Sequence, residues 1–470
     1  MMAAIEIVTM MGNKVSLDDS VVERFGAGLR GTLLRPGGDG YDEARKVWNA
    51  MIDKKPALIA HCAGAADVVH AVDFARINGL LISVRGGGHN VSGNAVCDGG
   101  LMIDLSRMKS IHVDAERRTA RAEPGVTWGE FDFETQAFGL ATTGGEISTT
   151  GIAGLTLGGG VGWLMRSYGL ACDNLLSVDI VTADGRLLTA SATNNQDLFW
   201  GVRGGGGNFG IATSFEFRVH SVGKLLAGMV VHPLEQARDV LKFYDEFTRT
   251  CPDELGSLAA FVTLPEGVPA AAIVVCYNGA VDEGERVIGP LRGFGTPLAD
   301  TIGPMSYKQV QRLFDEAFPP GLQNYWKSNF LNGLDERAVE IIVDRFSKTP
   351  SPHSAVAIEH YGGMMSRVGV NETAFRHRDA RFNFLICAMW PDPAGEEGNF
   401  EWAREFWEAM APYSSDGAYV NYLGRVEDEG AGRVEAAYGP EKYRRLVELK
   451  DKYDPGNLFR LNQNIQPSPA

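Results

Sequence analysis

The stretch Ser83-Val84-Arg85-Gly86-Gly87-Gly88-His89-Asn90 decides how the chain is read. A β-branched, apolar run delivers three glycines in succession, and one imidazole follows them. Glycine has no Cβ, so successive backbone N–H groups can converge on an anion, and Arg85 is placed to add charge-assisted bonds to the same phosphates. The pattern predicts a phosphate cradle, with His89 reaching past it toward whatever the phosphates carry. An isolated Gly-Gly-Gly-His also suits a polar surface loop, so the surrounding chain has to decide.

On the N-terminal side, residues 56–60 read as a strand, 65–78 as an amphipathic helix and 80–84 as a second strand, a β-α-β unit that ends in the glycine loop. Residues 1–50 are poorly patterned, with a helix expected over 42–51. Downstream, 101–105, 111–113 and 118–123 read as short strands and 128–138 as a helix. Residues 144–174 hold a second glycine cluster, and 176–182 with 187–190 form a hairpin around Asp184-Gly185. A third cluster contains Gly205, Gly207 and Gly210 at dinucleotide-fingerprint spacing. That fingerprint needs a following helix, whereas the alternating run 211–219 reads as a strand, which argues against a nicotinamide-binding Rossmann domain.

Beyond residue 221 longer amphipathic helices such as 234–249 appear among strand-like runs at 258–264, 271–277, 355–361 and 382–390. The expected organisation is α+β, with one domain over 1–222, a second over 223–416, and a tail at 417–470 too poor in apolar pattern to stand alone and so returning to the first. A chain of 470 residues, 44% hydrophobic and 22% charged, suits two or three globular domains. The 57 glycines predict many tight turns or close backbone approaches to a ligand. A net charge of −15 leaves no basic stripe for nucleic acid. No targeting segment and no apolar run of bilayer length is visible, so a cytoplasmic protein without membrane contact is expected. The six cysteines show no C-x-x-C spacing and the histidines no ligand spacing, so neither a disulfide framework nor a metal site is expected.

Taken together, the glycine loop at 83–90, Gly158 to Gly162, Tyr168 to Asn174, Asp197 to Gly210, Tyr419-Val-Asn-Tyr422, Tyr453 to Arg460 and Asn462 to Ile465 resemble the berberine bridge enzyme-like family of FAD-linked oxidases. The resemblance covers about residues 56–465. It implies a two-domain vanillyl-alcohol oxidase (PCMH-type) FAD-binding fold with an α+β substrate domain, and FAD bonded through its 8α-methyl carbon to a ring nitrogen of His89. The cofactor-contact positions it implies are Arg85, Gly86, Gly87, Gly88, His89, Asn90, Gly93, Gly144, Thr149, Gly151, Gly154, Gly158, Gly159, Gly162, Gly210, Asn462 and Asn464. Many relatives attach FAD a second time through a cysteine; Ile147 stands in that place here and Cys172 reads as packing, so a single link is expected. Thr150 matches the position that gates oxygen, and its modest size favours an oxidase.

For proton removal the resemblance implies a tyrosine, Tyr422 in preference to Tyr419. A phenol acting as base at neutral pH needs its pKa lowered by ~2 to 3 from about 10. Some relatives instead use a glutamate from a substrate-domain strand; a count along 382–390 puts Asn383 there, with Glu359 and Tyr361 alternating on the neighbouring strand and able to line the pocket. The expected reaction is oxidation of a C–OH or C–N centre of a small molecule, with oxygen as acceptor. The alternatives are a dehydrogenase and a ring-forming enzyme of secondary metabolism.

Overall fold

A computed structural model describes residues 4–415, 417–424, 426–430 and 432–469; the domain limits expected at 1, 416 and 470 fall outside the described residues. The β-α-β unit is present. Strands Leu58–His61 and Ile82–Arg85 both pair in parallel with Leu101–Asp104, and helix Ala65–Ile77 makes the crossover. Parallel strands need such a crossover, and their burial explains why Leu58–His61 and Leu101–Asp104 read as unbroken buried runs. Thr32–Leu34 completes this four-stranded sheet.

A five-stranded antiparallel sheet follows, in the order Leu187–Ser191, Leu175–Val181, Ile211–Arg218, Thr119–Ala122, Ile111–Asp114. The strand Ile211–Arg218 lies directly after the third glycine cluster, as the alternating pattern requires. Its core is aromatic: Trp128, Phe131 and Phe217 pack edge-on or tilted with centroids 5.4 to 5.9 Å apart. Ala418, Val420, Leu446, Leu449, Tyr453 and Ile465 complete this same core, so the C-terminal segment packs against residues 120–219.

The remaining large sheet has nine strands among the described residues, drawn from 225–415. At its centre Pro269–Tyr277, Leu255–Thr263, Ala355–His360, Phe382–Trp390 and Gln323–Leu331 run side by side, all antiparallel. Helices Ala237–Thr248, Glu336–Phe346 and Glu396–Met410 cover one face. The first buries Val240, Leu241 and Tyr244, each stabilising by about 1.5 to 3 kcal/mol. The opposite face turns toward the glycine loops.

The helix expected over 42–51 is corrected. Only Tyr41–Ala44 is helical. The chain then leaves the helix because Trp48 N–H donates to the Gly88 carbonyl (3.1 Å) and Asn49 Nδ2 donates to the carbonyls of Val91 (2.8 Å) and Asn324 (2.9 Å). Those tertiary bonds seat an indole beside the glycine loop.

Candidate active site

Between the glycine loops and the large sheet lies a cavity of about 340 Å³, within the range of cofactor and ligand pockets. Its walls include Gly86, Gly87, Gly88, His89 and Asn90 from the first glycine loop, Gly151 and Gly154 from the second, Gly206, Gly207 and Gly210 from the third, and Asn462. The first loop is pressed against the second: a Cβ on Gly87 would stand 2.5 Å from the backbone nitrogen and Cα of Gly151, so neither position admits a side chain. Among the described residues, the N–H groups of Gly87, Gly88, His89 and Asn90 have no hydrogen-bond acceptor. Four consecutive unsatisfied donors beside a cavity form an anion cradle. A Cβ on Gly154 would meet nothing within 4 Å, and the Tyr438 hydroxyl at the cavity wall is buried without a partner. The donor set and the bareness of these walls fit a dinucleotide with its diphosphate on the glycine loop.

His89 is half-buried at the edge of this cavity. Its ring stacks on Trp48 (centroids 5.0 Å, 18°), its Nε2 lies 2.8 Å from Thr149 Oγ1, and its Nδ1 lies 3.4 Å from Thr150 Oγ1. Burial lowers its pKa to about 4. The imidazole is therefore neutral at pH 7 and keeps a lone pair for bond formation. Ile147 lines the cavity, whereas Cys172 is buried outside it with its thiol pKa pushed up by burial.

Several expected cofactor contacts do not reach the cavity. Arg85 lies outside this lining: strand alternation turns Val84 inward and Arg85 outward, where its guanidinium bonds the Ala44 carbonyl and sits 3.9 Å from Asp104. Gly93 packs on Ile52, Gly144 on the Trp128 indole, Gly158 on Asn421, Gly159 on Phe375 and Gly162 on the Gly144 carbonyl, so these five serve close packing of the loops. Asn464 lies outside the lining, its side-chain oxygen buried without a partner.

The large sheet contributes the acidic group. Glu359 stands opposite Asn383 in the register of their strands and projects from the cavity-facing side. Tyr422 donates its hydroxyl to Glu359 Oε1 (2.7 Å), Asn383 Nδ2 donates to Oε2 (2.9 Å), and the Tyr361 hydroxyl approaches Oε2 at 3.5 Å. Burial raises the Glu359 pKa to about 7, and the three donors restrain that rise. The lowered phenol expected at Tyr422 is not found: burial raises it well above 10, and the nearby Glu359 and Glu146 raise it further. Tyr419 is occupied differently. Its oxygen accepts from Gly160 N–H (2.9 Å), Val161 N–H (3.3 Å) and Asn421 Nδ2 (2.8 Å), and burial pushes its pKa up. Asn383 itself is buried behind Glu359, outside the lining.

Sequence reasoning did not single out Glu146, Trp48, Trp326 or Phe318, all at the cavity wall. Glu146 alone carried a signal, as an acidic side chain inside a stretch of glycine and small residues.

A dinucleotide cradle, a neutral histidine beside it and a carboxyl–phenol pair across the cavity define an FAD-dependent oxidoreductase, and the comparisons agree. The chain belongs to the berberine bridge enzyme-like family of FAD-linked oxidoreductases. Residues 56–191 match the FAD binding domain and 418–466 match the segment described as berberine and berberine like. An FAD-linked oxidoreductase of Dictyostelium discoideum is 34% identical, over 95% of this chain and 97% of its own. The (R)-6-hydroxynicotine oxidase of Paenarthrobacter nicotinovorans is 36% identical, over 93% and 97%. The crystal structure of 6-hydroxy-D-nicotine oxidase from Arthrobacter nicotinovorans superimposes with a TM-score of 0.87 at 34% identity, covering 94% of this chain and 98% of that one. Among the described residues no helix is long and apolar enough to cross a membrane.

Proposed function

We propose that this protein is an oxidase that removes two electrons and a proton from a CH–OH or CH–NH group of a small molecule, with FAD bonded to a ring nitrogen of His89. Residues 1–222 and 417–470 would hold the cofactor, and 223–416 would close over the substrate. The hydrogen bond from Tyr422 to Glu359 at the cavity wall carries this reading, because it offers a complete path for the substrate proton.

When bound in the cavity, FAD would supply the hydride acceptor, with oxygen as the oxidant that restores it. The protein supplies the rest. His89 is neutral, stacked on Trp48 and hydrogen-bonded to Thr149, which fixes which nitrogen faces the cofactor. The Tyr422 oxygen takes the substrate proton as its own proton passes to Glu359 Oε1, so no free phenolate forms. This suits a phenol whose pKa is raised and a carboxylate poised near 7. Asn383 holds the Glu359 carboxylate in that orientation, and Tyr419 ties Tyr422's turn to the backbone of Gly160 and Val161. Leu258, Phe318, Trp326 and Leu385 make the substrate-side wall apolar and exclude water. The (R)-6-hydroxynicotine oxidase likeness favours a heterocyclic amine among the CH–NH substrates.

Anaerobic mixing of the purified holoprotein with a panel of small cyclic amines and arylalkyl alcohols tests the reading. Bleaching of the flavin by at least one compound, with return of colour and one peroxide per turnover on admitting air, is expected. Bleaching that air does not reverse would make the protein a dehydrogenase; product formed without bleaching would make it a ring-forming enzyme.

A further inference from the structure

Glu146 has no part in the proton path, yet it is the second carboxyl on the cavity wall. Among the described residues it accepts no hydrogen bond and pairs with no cation. Its charge is felt by Glu359, Tyr307, Tyr361, Tyr422, Cys276 and Cys387, groups that bring no positive charge. Among the described residues no lysine or arginine lines the cavity, and the one histidine there is neutral. Two carboxyl groups enclosed together do not both ionise: one holds a proton that belongs to the pair. Glu146 is half-buried at this wall, and a carboxylate that faces a largely apolar cavity without a donor gains from a ligand that brings positive charge.

We propose that Glu146 and Glu359 form one acidic subsite for a substrate that enters as a cation, a protonated amine on a compact apolar body. This rests on the oxidase reading above and narrows its substrate from alcohols or amines to amines. The free pair carries one negative charge and one shared proton. When the ammonium arrives, that proton leaves to solvent, both carboxylates face the cation, and the net charge of the site is unchanged. Glu359 then receives the ammonium proton through Tyr422 before the C–H bond is broken, and Glu146 stays ionised as the counter-ion of the iminium that remains when the hydride leaves the substrate carbon. Phe314, Phe318, Trp326 and Leu385 hold the apolar body. A neutral alcohol would leave Glu146 enclosed with nothing to oppose it.

The test compares benzyltrimethylammonium with neopentylbenzene, its uncharged carbon isostere, on the oxygen-free holoprotein by titration calorimetry. The quaternary ion has no proton of its own and cannot be oxidised, so binding is read apart from turnover. The cation is expected to bind at least about tenfold more tightly than the isostere. Near pH 6.5, titration in buffers of different ionisation enthalpy should show roughly one proton released per cation bound. In Glu146→Gln the preference and the proton release should both disappear while the isostere binds as before, its unchanged affinity showing that the cavity is intact. Equal affinities in the wild type, binding without proton release, or a preference that survives Glu146→Gln would each overturn the subsite. If no compound bleaches the flavin while the cation preference holds, the oxidase reading falls and the subsite stands.

Discussion

Replacing Tyr422 with phenylalanine removes one oxygen atom and keeps the ring, which meets Trp326 edge-on at 5.8 Å and Tyr419 at 4.8 Å. Two effects follow. The substrate proton loses its relay, which should lower kcat/KM by about 10² to 10⁴. Glu359 loses the donor on Oε1, leaving Asn383 and the distant Tyr361 hydroxyl on Oε2. That lost bond favoured the ionised carboxylate, so its removal raises the Glu359 pKa. A hydrogen bond to a charged group contributes about 1.5 to 3 kcal/mol and each pH unit corresponds to about 1.4 kcal/mol, so the rise is ~1 to 2 pH units. In the wild type, kcat/KM should climb with pH as Glu359 loses its proton near pH 7. In Tyr422→Phe the residual rate should climb near pH 8 to 9 instead. Anaerobic stopped-flow reduction of the flavin across pH 5 to about 10 reads both quantities, and Tyr419→Phe, which leaves the Glu359 bonds untouched, should keep its rise near 7. A Tyr422→Phe profile with its rise still near 7 would refute the coupling of phenol and carboxylate.

Other consequences can be measured separately. Asp454→Ala strands the fully buried Lys450 ammonium, 2.6 Å from the carboxylate, and frees the N–H groups of Leu458 and Phe459; denaturant unfolding should show a loss of about 3 to 5 kcal/mol. Gly87→Ala forces a methyl to within 2.5 Å of Gly151, so the loops must part and the purified protein should lack flavin while far-UV circular dichroism stays native. Thr149→Val removes the hydroxyl 2.8 Å from His89 Nε2, and the fraction of chain-bound flavin after acid treatment should fall although total flavin binding persists.

Legibility in the sequence followed burial pattern. Phe382–Trp390 is buried on both faces and reads as one apolar run, and its observed limits match the expected ones. Gln323–Leu331 lies beside it and was not visible: Lys327 occupies its interior, made tolerable by Asp428 at 2.6 Å and Glu429 at 3.1 Å, partners about a hundred residues away. The glycine loop was legible because three glycines before an imidazole have a backbone meaning of their own. The direction of Arg85, away from the cavity lining, was not legible, because it depends on strand alternation and on Asp104. At the catalytic side, Asn383 drew attention by position, but the carboxylate it orients sits across the strand pair on Glu359, and only the register joins them. Glu146 and Trp48 reach the cavity through loops held by tertiary hydrogen bonds, for which sequence spacing gives no rule.

The most direct measurement asks whether the flavin stays with the polypeptide after acid precipitation, in the wild type and in His89→Ala. Yellow, fluorescent precipitate from the wild type and a colourless one from the variant, its flavin left in the supernatant, is the predicted result. Flavin released from the wild type, or retained equally by both proteins, would contradict the assignment of His89 as the single point of attachment.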